Sequence, residues 1–303
     1  MSDDNIYKVN SLTEMFDALG WGKPKHPLIG IVDAANTSIP EHLLNQKTSS
    51  PFYCIILKDG NCGMQYGRNH YDFEEGVLRF LAPDQIVTAT NDAPSSYGFL
   101  LFFHPDLIRS SPLGKEINKY TFFRYSVHEA LHLSAKEESI LIECANNIRT
   151  ELNENIDRHS QELLVTNIQL LLNYSKRFYD RQFITRTDST SDVVSKVEQL
   201  IQTYYDQNLQ VENGTPSPKY FAEKVNFSTN YLSDLLRKET GKSTKDHVDD
   251  HIIELAKTQL LNSQHTVSEL AYDLGFNYPH YFSRLFKKKT GESPQAFRSK
   301  HLN

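Results

Sequence analysis

At 303 residues the chain is longer than one ordinary domain, and with 39% hydrophobic and 23% charged residues it has the material for two buried cores. No stretch approaches the roughly 20 apolar residues that a membrane helix requires, which excludes a helical membrane protein. The formal charge of −6 argues against a nucleic-acid binder only until it is divided: residues 191–303 hold 14 Lys+Arg and 14 Asp+Glu, so the whole acidic excess lies in residues 1–190.

The start, MSDDNIYKVNSLTEMFDALGW, is acidic where a secretory signal is basic and has no apolar run of signal length, so a cytoplasmic location is expected. Cys54, Cys62 and Cys144 are odd in number and irregularly spaced, which supports neither a disulfide framework nor a four-ligand zinc site. Reduced thiols and no cofactor are the expectation. From about Pro51 to Phe103, the runs FYCIIL, GVLRFLA, QIVTAT and YGFLLFF alternate with the turn-like DGN, EEG, APD and NDAPSS, which predicts an all-β block. Asp72, Glu74 and Glu75 read as a turn cluster rather than paired catalytic carboxylates.

His128, Glu129 and His132 spell H-E-x-x-H, which in a metalloprotease places two zinc ligands and a general base on one helical turn. That chemistry needs a helix through all five residues. Here Ser134, with Glu137 three residues on, looks like a capping box that starts the next helix only after them, so a polar connector is the better reading. Helices are predicted over about 134–182. The second of them, about 158–182, carries Leu164, Ile168, Leu171, Leu172, Phe178 and Tyr179, a stripe that packs either on its own domain or on a second copy. The segment TRTDSTSD, without an apolar residue, has linker composition. The division is therefore residues 1–184, a linker at 185–192, and 193–303.

Beyond the linker the chain repeats itself. SPKYFAEKVNFSTNYLSDLLRKETGKS at 217–243 is echoed by HTVSELAYDLGFNYPHYFSRLFKKKTGES at 265–293. Ala222 matches Ala271 and Phe227 matches Phe276. With one residue inserted, Tyr231, Leu232, Leu235, Thr240, Gly241 and Ser243 match Tyr281, Phe282, Leu285, Thr290, Gly291 and Ser293. Each copy reads as helix, tight turn, helix, with a small alanine that lets the helices approach. Gly275 can take the positive φ that ends a helix, and Asn226, the next-best left-handed residue, stands in its place in the first copy.

In the later copy the second helix starts near Asn277 as cap, with Pro279 in its first turn. Phe282, Leu285 and Phe286 form an inward stripe, whereas His280, Ser283, Arg284 and Lys287 point outward; Asn230, Ser233 and Asp234 hold the outward places of the first copy. Between the copies TKDHVDDHIIELAKTQLLNS reads as one helix, with Val248, Ile252, Leu255, Ala256, Leu260 and Leu261 on its apolar side. At 1.5 Å per residue it spans about 24–30 Å, comparable with the ~34 Å between successive major grooves on one face of B-DNA. Within 278–300, Arg284, Lys287, Lys288, Lys289, Arg298 and Lys300 face Glu292 alone, a patch suited to phosphates unless it is merely a solvated helix face.

LAKTQLLNSQHTVSELAYDLGFNYPHYFSRLFKKKTGESPQAFR resembles the signature of AraC-type (AraC/XylS) transcription regulators, over about 215–300, in its spacing of Ala271, Gly275, Phe276, Tyr281, Phe282, Phe286, Lys287, Gly291, Pro294 and Arg298. The resemblance implies a seven-helix DNA-binding domain with two recognition helices, behind a variable N-terminal domain that senses a ligand or dimerises. By position, base reading falls to Asn230, Ser233 and Asp234 in the first unit and to His280, Ser283 and Arg284 in the second. Arg284 suits guanine O6 and N7, Asn230 adenine, and Asp234 a cytosine amine. Asp234 departs from the basic character usual there. Lys219, Lys287 and Lys288 are assigned to the DNA backbone. The resemblance also implies a cupin-like β-barrel over about 20–130. His70 has no second histidine nearby, which speaks against a metal there. Tyr53, Tyr66, Tyr71 and Phe80 are candidates for lining a ligand pocket, although barrel interiors are ordinarily filled by such side chains.

The expected fold is thus α+β: a cupin-like β-barrel with a helical segment, then an all-α double helix-turn-helix domain. The expected function is non-enzymatic regulation of transcription on double-stranded promoter DNA, with RNA polymerase, a small-molecule effector and a homodimer through 158–182 as candidate partners. The alternatives are a regulator whose barrel serves only dimerisation or partner binding, and a metalloenzyme of the cupin or zinc-hydrolase kind.

Overall fold

The computed structural model describes residues 6–37, 39–59, 76–88, 95–126, 129–155, 157–185, 187–262 and 265–302. The chain divides into two compact units, Met1–Gln182 and Phe183–Asn303.

The first unit runs β1 (Tyr7–Lys8), α1 (Leu12–Leu19), β2 (Ile29–Asp33), β3 (Lys47–Ser49), β4 (Tyr53–Lys58), β5 (Gly76–Leu81), β6 (Val87–Thr88), β7 (Gly98–Phe103), α2 (Pro105–Ile108), α3 (Pro112–Glu116), β8 (Leu131–Leu133), α4 (Ala135–Asn153) and α5 (Ser160–Thr185), whose residues from Phe183 on fall in the second unit. Its main sheet has the order β2-β7-β4-β5-β8, antiparallel throughout, with Tyr53 opposite Phe103 and Cys54 opposite Leu81. A second sheet has the order β1-β3-β6.

The expected closed barrel is not what the described strands form. They make two open sheets, with β2 and β8 as the edges of the larger one. The reason lies in β7, whose residues Phe99 to Phe103 are all buried, on both faces. One face, with Cys54, Leu100 and Phe102, is covered by Leu12, Met15 and Phe16 of α1 and by Trp21. On the other, Phe80 packs on Phe122, Phe123 and Tyr179. A sheet sandwiched between two covers carries continuous apolar runs rather than the inside–outside alternation of a barrel.

Ser134 and Glu137 close the predicted capping box at the start of α4. Leu164, Ile168, Leu171, Leu172, Phe178 and Tyr179 of α5 are all buried within the first unit, so the stripe expected to serve either this domain or a second copy serves this domain. The end of α5 is tied down by polar bonds. Arg181 donates to both Glu137 oxygens at 2.9 and 2.8 Å and to the His132 carbonyl at 2.6 Å, and the Gln182 amide brackets Ala130 and His132.

In the second unit follow α6 (Thr187–Asp206), α7 (Leu209–Asn213), α8 (Pro218–Lys224), α9 (Thr229–Thr240), α10 (Thr244–Asn262), α11 (Val267–Asp273), α12 (Pro279–Thr290) and α13 (Pro294–Leu302). The segment of linker composition is helical at each described residue, ending α5 and opening α6. The helices share one core, which includes Phe221, Leu232, Leu236, Ile252, Ala256, Leu270, Phe282 and Phe286.

The repeat in sequence is a repeat in hydrogen bonds. Asn226 (φ 58°) and Gly275 (φ 89°) turn the chain left-handed, and beyond them Phe227 N–H donates to the Ala222 carbonyl and Phe276 N–H to the Ala271 carbonyl, each at 2.9 Å. Gly241 and Gly291 end α9 and α12 the same way, donating to Arg237 and Lys287 carbonyls, both at 2.9 Å. Gly275 is the tighter place. A Cβ there would lie 2.8 Å from the Gly214 carbonyl carbon, whereas one on Gly291 would meet nothing within 4 Å. Gly291→Ala is therefore expected to cost about 1 kcal/mol of backbone strain, and Gly275→Ala more than about 2 kcal/mol, because it adds a clash with backbone to the same strain. Urea unfolding of both variants checks the order.

Candidate nucleic-acid interface

Each second helix of the two copies is started differently. The Ser228 hydroxyl caps α9 by accepting from Tyr231 N–H at 3.2 Å. The start of α12 is one residue later than expected. Its cap is Tyr278, not Asn277, and no side chain closes it; Pro279 needs no N–H partner, and the Tyr278 carbonyl accepts from Tyr281.

The predicted outward residues lie on one face of each helix. On α12, His280 and Arg284 are exposed and Ser283 partly so; Arg284 makes no ion pair among the described residues. On α9, Asn230 and Ser233 are partly exposed. On Asp234 only 18% of the side chain is accessible, and Arg237 binds it at 2.9 Å. Arg237, 56% exposed, continues the same face one turn on, a residue not among those singled out from the sequence. The repeat contained the signal, since Arg237 occupies the place of Lys287 in the second copy.

The basic patch divides into two groups. Lys289 is held by Asp250 at 2.8 Å and Asp246 at 3.7 Å, and the bond to Asp250 raises its affinity for its proton. The Arg298 guanidinium donates to the carbonyls of Leu260 and His265 at 2.9 and 2.7 Å, closing the end of α10, and Lys300 pairs with Glu292 at 3.5 Å. Lys289 and Arg298 hold the fold, whereas Lys300 is 66% exposed. Arg284, Lys287 and Lys288 remain exposed, as does Lys219, 3.8 Å from Glu223. Joining the copies, α10 has 19 residues, about 28 Å at 1.5 Å each. Its inward side buries Val248, Ile252, Ala256 and Leu260 as expected, with Leu255 and Leu261 only partly buried.

A helix-turn-helix domain family matches residues 221–300. The chain is 37% identical over 78 residues to the arabinose operon regulatory protein of Escherichia coli, which covers 26% of this chain and 27% of that one. It is 30% identical over 115 residues to the Msm operon regulatory protein of Streptococcus mutans, 38% of this chain and 39% of that one. An uncharacterized HTH-type transcriptional regulator of Pseudoalteromonas carrageenovora is 34% identical over 122 residues, 37% of this chain and 69% of the relative. The chain belongs to the AraC-type family of helix-turn-helix regulators. It spans well under half the length of the first two of these relatives.

The other predicted sites sit in the first unit. Tyr53 stacks on Phe103 at 5.0 Å and meets Phe123 edge-on, and Phe80 is 4% exposed among Phe122, Phe123 and Tyr179. Both are packing residues. The cavity beside Phe80 measures about 20 Å³, room for one water molecule. Tyr66, Tyr71, His70, Asp72, Glu74 and Glu75 lie outside the described residues, as does His128. The rest of the H-E-x-x-H motif is structural. Glu129, buried, accepts from the Ser126 N–H at 2.6 Å, and His132 stands on strand β8 rather than on a helical turn. Cys54 and Cys144 are buried free thiols. No helix among the described residues is long and apolar enough to cross a membrane.

One carboxylate ties the spacer to the recognition unit. Asp246 accepts from the Ser243 hydroxyl and N–H at 2.6 and 3.1 Å at the start of α10, and the hydroxyl bond, with the backbone bond and the charges of Lys289 and Arg237, outweighs burial and holds its carboxyl below the usual range. A carboxyl depressed in the folded state stabilises above its unfolded pKa, and that stabilisation is lost as pH falls through the folded value. Asp246→Asn is thus expected to lower stability at pH 7 and to shrink the loss on acidification to about pH 3, read by urea unfolding at both values.

Proposed function

We propose that the chain regulates transcription by binding promoter DNA with α9 and α12 in successive major grooves. The observation that carries this reading is the paired array: two helix-turn-helix copies with the same left-handed turns and the same glycine C-caps, each presenting a polar face, separated by a helix of about 28 Å. Arg284, exposed and without an ion pair among the described residues, reads a guanine edge, and His280 and Ser283 adjoin it. Asn230 and Ser233 read bases in the first copy, with Asp234 acting through Arg237. Lys287, Lys288 and Lys219 contact phosphates. RNA polymerase is the partner that such an array would recruit or block.

Selection of duplexes from a random pool tests the reading. A two-part motif spaced by about 10 base pairs is expected, and Arg284→Ala should relax one position at a cost of about 1–3 kcal/mol. In salt titrations Lys287→Ala and Lys288→Ala should each lower the slope by about one, and Lys289→Ala should lower stability and leave the slope intact. Enrichment of no sequence by the intact chain or by 183–303 would sink the proposal.

The first unit acts as the control domain, through a surface rather than a chamber. The tight packing around Phe80 favours this over a small-molecule sensor. The candidate surface is a second-copy contact on α5, where Leu163 and Leu170, seven residues apart, are 47% and 42% exposed. Sedimentation at micromolar concentration is expected to show a dimer that Leu163→Glu with Leu170→Glu converts to monomer.

A further inference from the structure

The two copies differ at one matched place. In the first, Tyr231 is 1% exposed: Phe183, the first residue of this unit, lies edge-on against its ring at 5.1 Å between centroids. Leu235, one turn on, is also buried. In the second copy the counterpart Tyr281 is 54% exposed, and Leu285, the counterpart of Leu235, is only partly buried. Where the first copy holds an aromatic plug, the second has an open groove of about 590 Å³. That volume lies within the roughly 300–1,000 Å³ of small-molecule sites.

The groove lies between α10, the turn of the second copy and segment 213–218. Buried Val248 and Ile252 of α10 contribute its apolar lining, together with Tyr281 and Leu285. Segment 213–218 is fixed against the turn of the second copy, where Thr215 N–H donates to the Gly275 carbonyl at 3.0 Å. Tyr278 and Tyr281, both more than half exposed, also line it, with His280 packed against both rings. Two charged groups line it, Lys245 and Asp249, one turn apart on α10. Asp249 makes no hydrogen bond or ion pair among the described residues. Burial pushes its carboxyl above the usual range, against the opposing pull of Lys245 and Lys289, so its charge is incompletely compensated.

We infer that this groove binds a small molecule bearing an aromatic ring and a protonated amine, with the ring against Tyr281 and Leu285, as Phe183 lies against Tyr231, and the amine at Asp249. The site lies beside the DNA-reading face and not on it. Tyr281 and Leu285 are displaced around α12 from Arg284 and Lys287, although His280 packs on the Tyr281 ring at 4.2 Å, so the groove borders the proposed DNA face.

The probe is 2-phenylethylamine, titrated into the full chain and followed by calorimetry and saturation-transfer NMR. Saturable binding at one site is expected, and Asp249→Asn and Tyr281→Ala should each weaken it about tenfold or more. 3-Phenylpropionate, with a similar ring and the opposite charge, should bind about tenfold more weakly to the unaltered chain, a comparison that depends on no variant. Both substituted side chains are partly exposed, and circular dichroism melts verify that the variants fold. Absence of saturable binding up to about 10 mM, equal binding of the amine and the acid, or unchanged affinity in Asp249→Asn would overturn the inference. None of these outcomes bears on the DNA selection above.

Discussion

The C-terminal unit depends on a close approach of backbone to backbone at two turns. In each copy a left-handed residue, Asn226 or Gly275, folds the chain back so that the N–H three residues beyond the end of the first helix reaches the carbonyl of an alanine. The alanine methyl is what permits the helices to meet at that distance. Phe221, Leu232, Phe282 and Phe286 then have a fixed cleft to fill, and the outward faces of α9 and α12 are aimed by the same geometry. A left-handed position is costly for most residues, which explains why glycine and asparagine hold the two places.

Charge is distributed by pairing rather than by net composition. The unit is balanced overall, yet its acids are largely spent on its own cations and caps: Asp250 on Lys289 and Lys242, Asp246 on Ser243, Asp234 on Arg237. The cations that stay exposed on α12, Arg284, Lys287 and Lys288, therefore act as a local positive field in a unit without net charge. Asp234, the acidic residue on the outward face of α9, is bound by Arg237 one turn on.

In the first unit the apolar runs were read as strands, and strands they are, but their joint arrangement escaped. GFLLFF at 98–103 has no alternation, a sign of burial on both faces that fits a covered sheet better than a barrel wall. The long helix α5 shows the same limit. Its stripe was plain, but whether a second copy or the home sheet would receive it depended on where Phe80 and Phe122 lie, and those are far away in sequence.

Residue type and spacing were enough to read the doubled helix-turn-helix, its left-handed turns, the capping box at Ser134 and the outward face of α12, because each rests on bonds between residues five or fewer positions apart. Folding in three dimensions decided the rest. Lys289 is bound by an acid 39 residues away, Arg298 by carbonyls 38 and 33 residues away, and the ring of Tyr231 meets Phe183 while its twin Tyr281 is left exposed. Periodicity reports which side of a helix is apolar, but which partner arrives at that side is set by packing between segments that the local pattern does not connect.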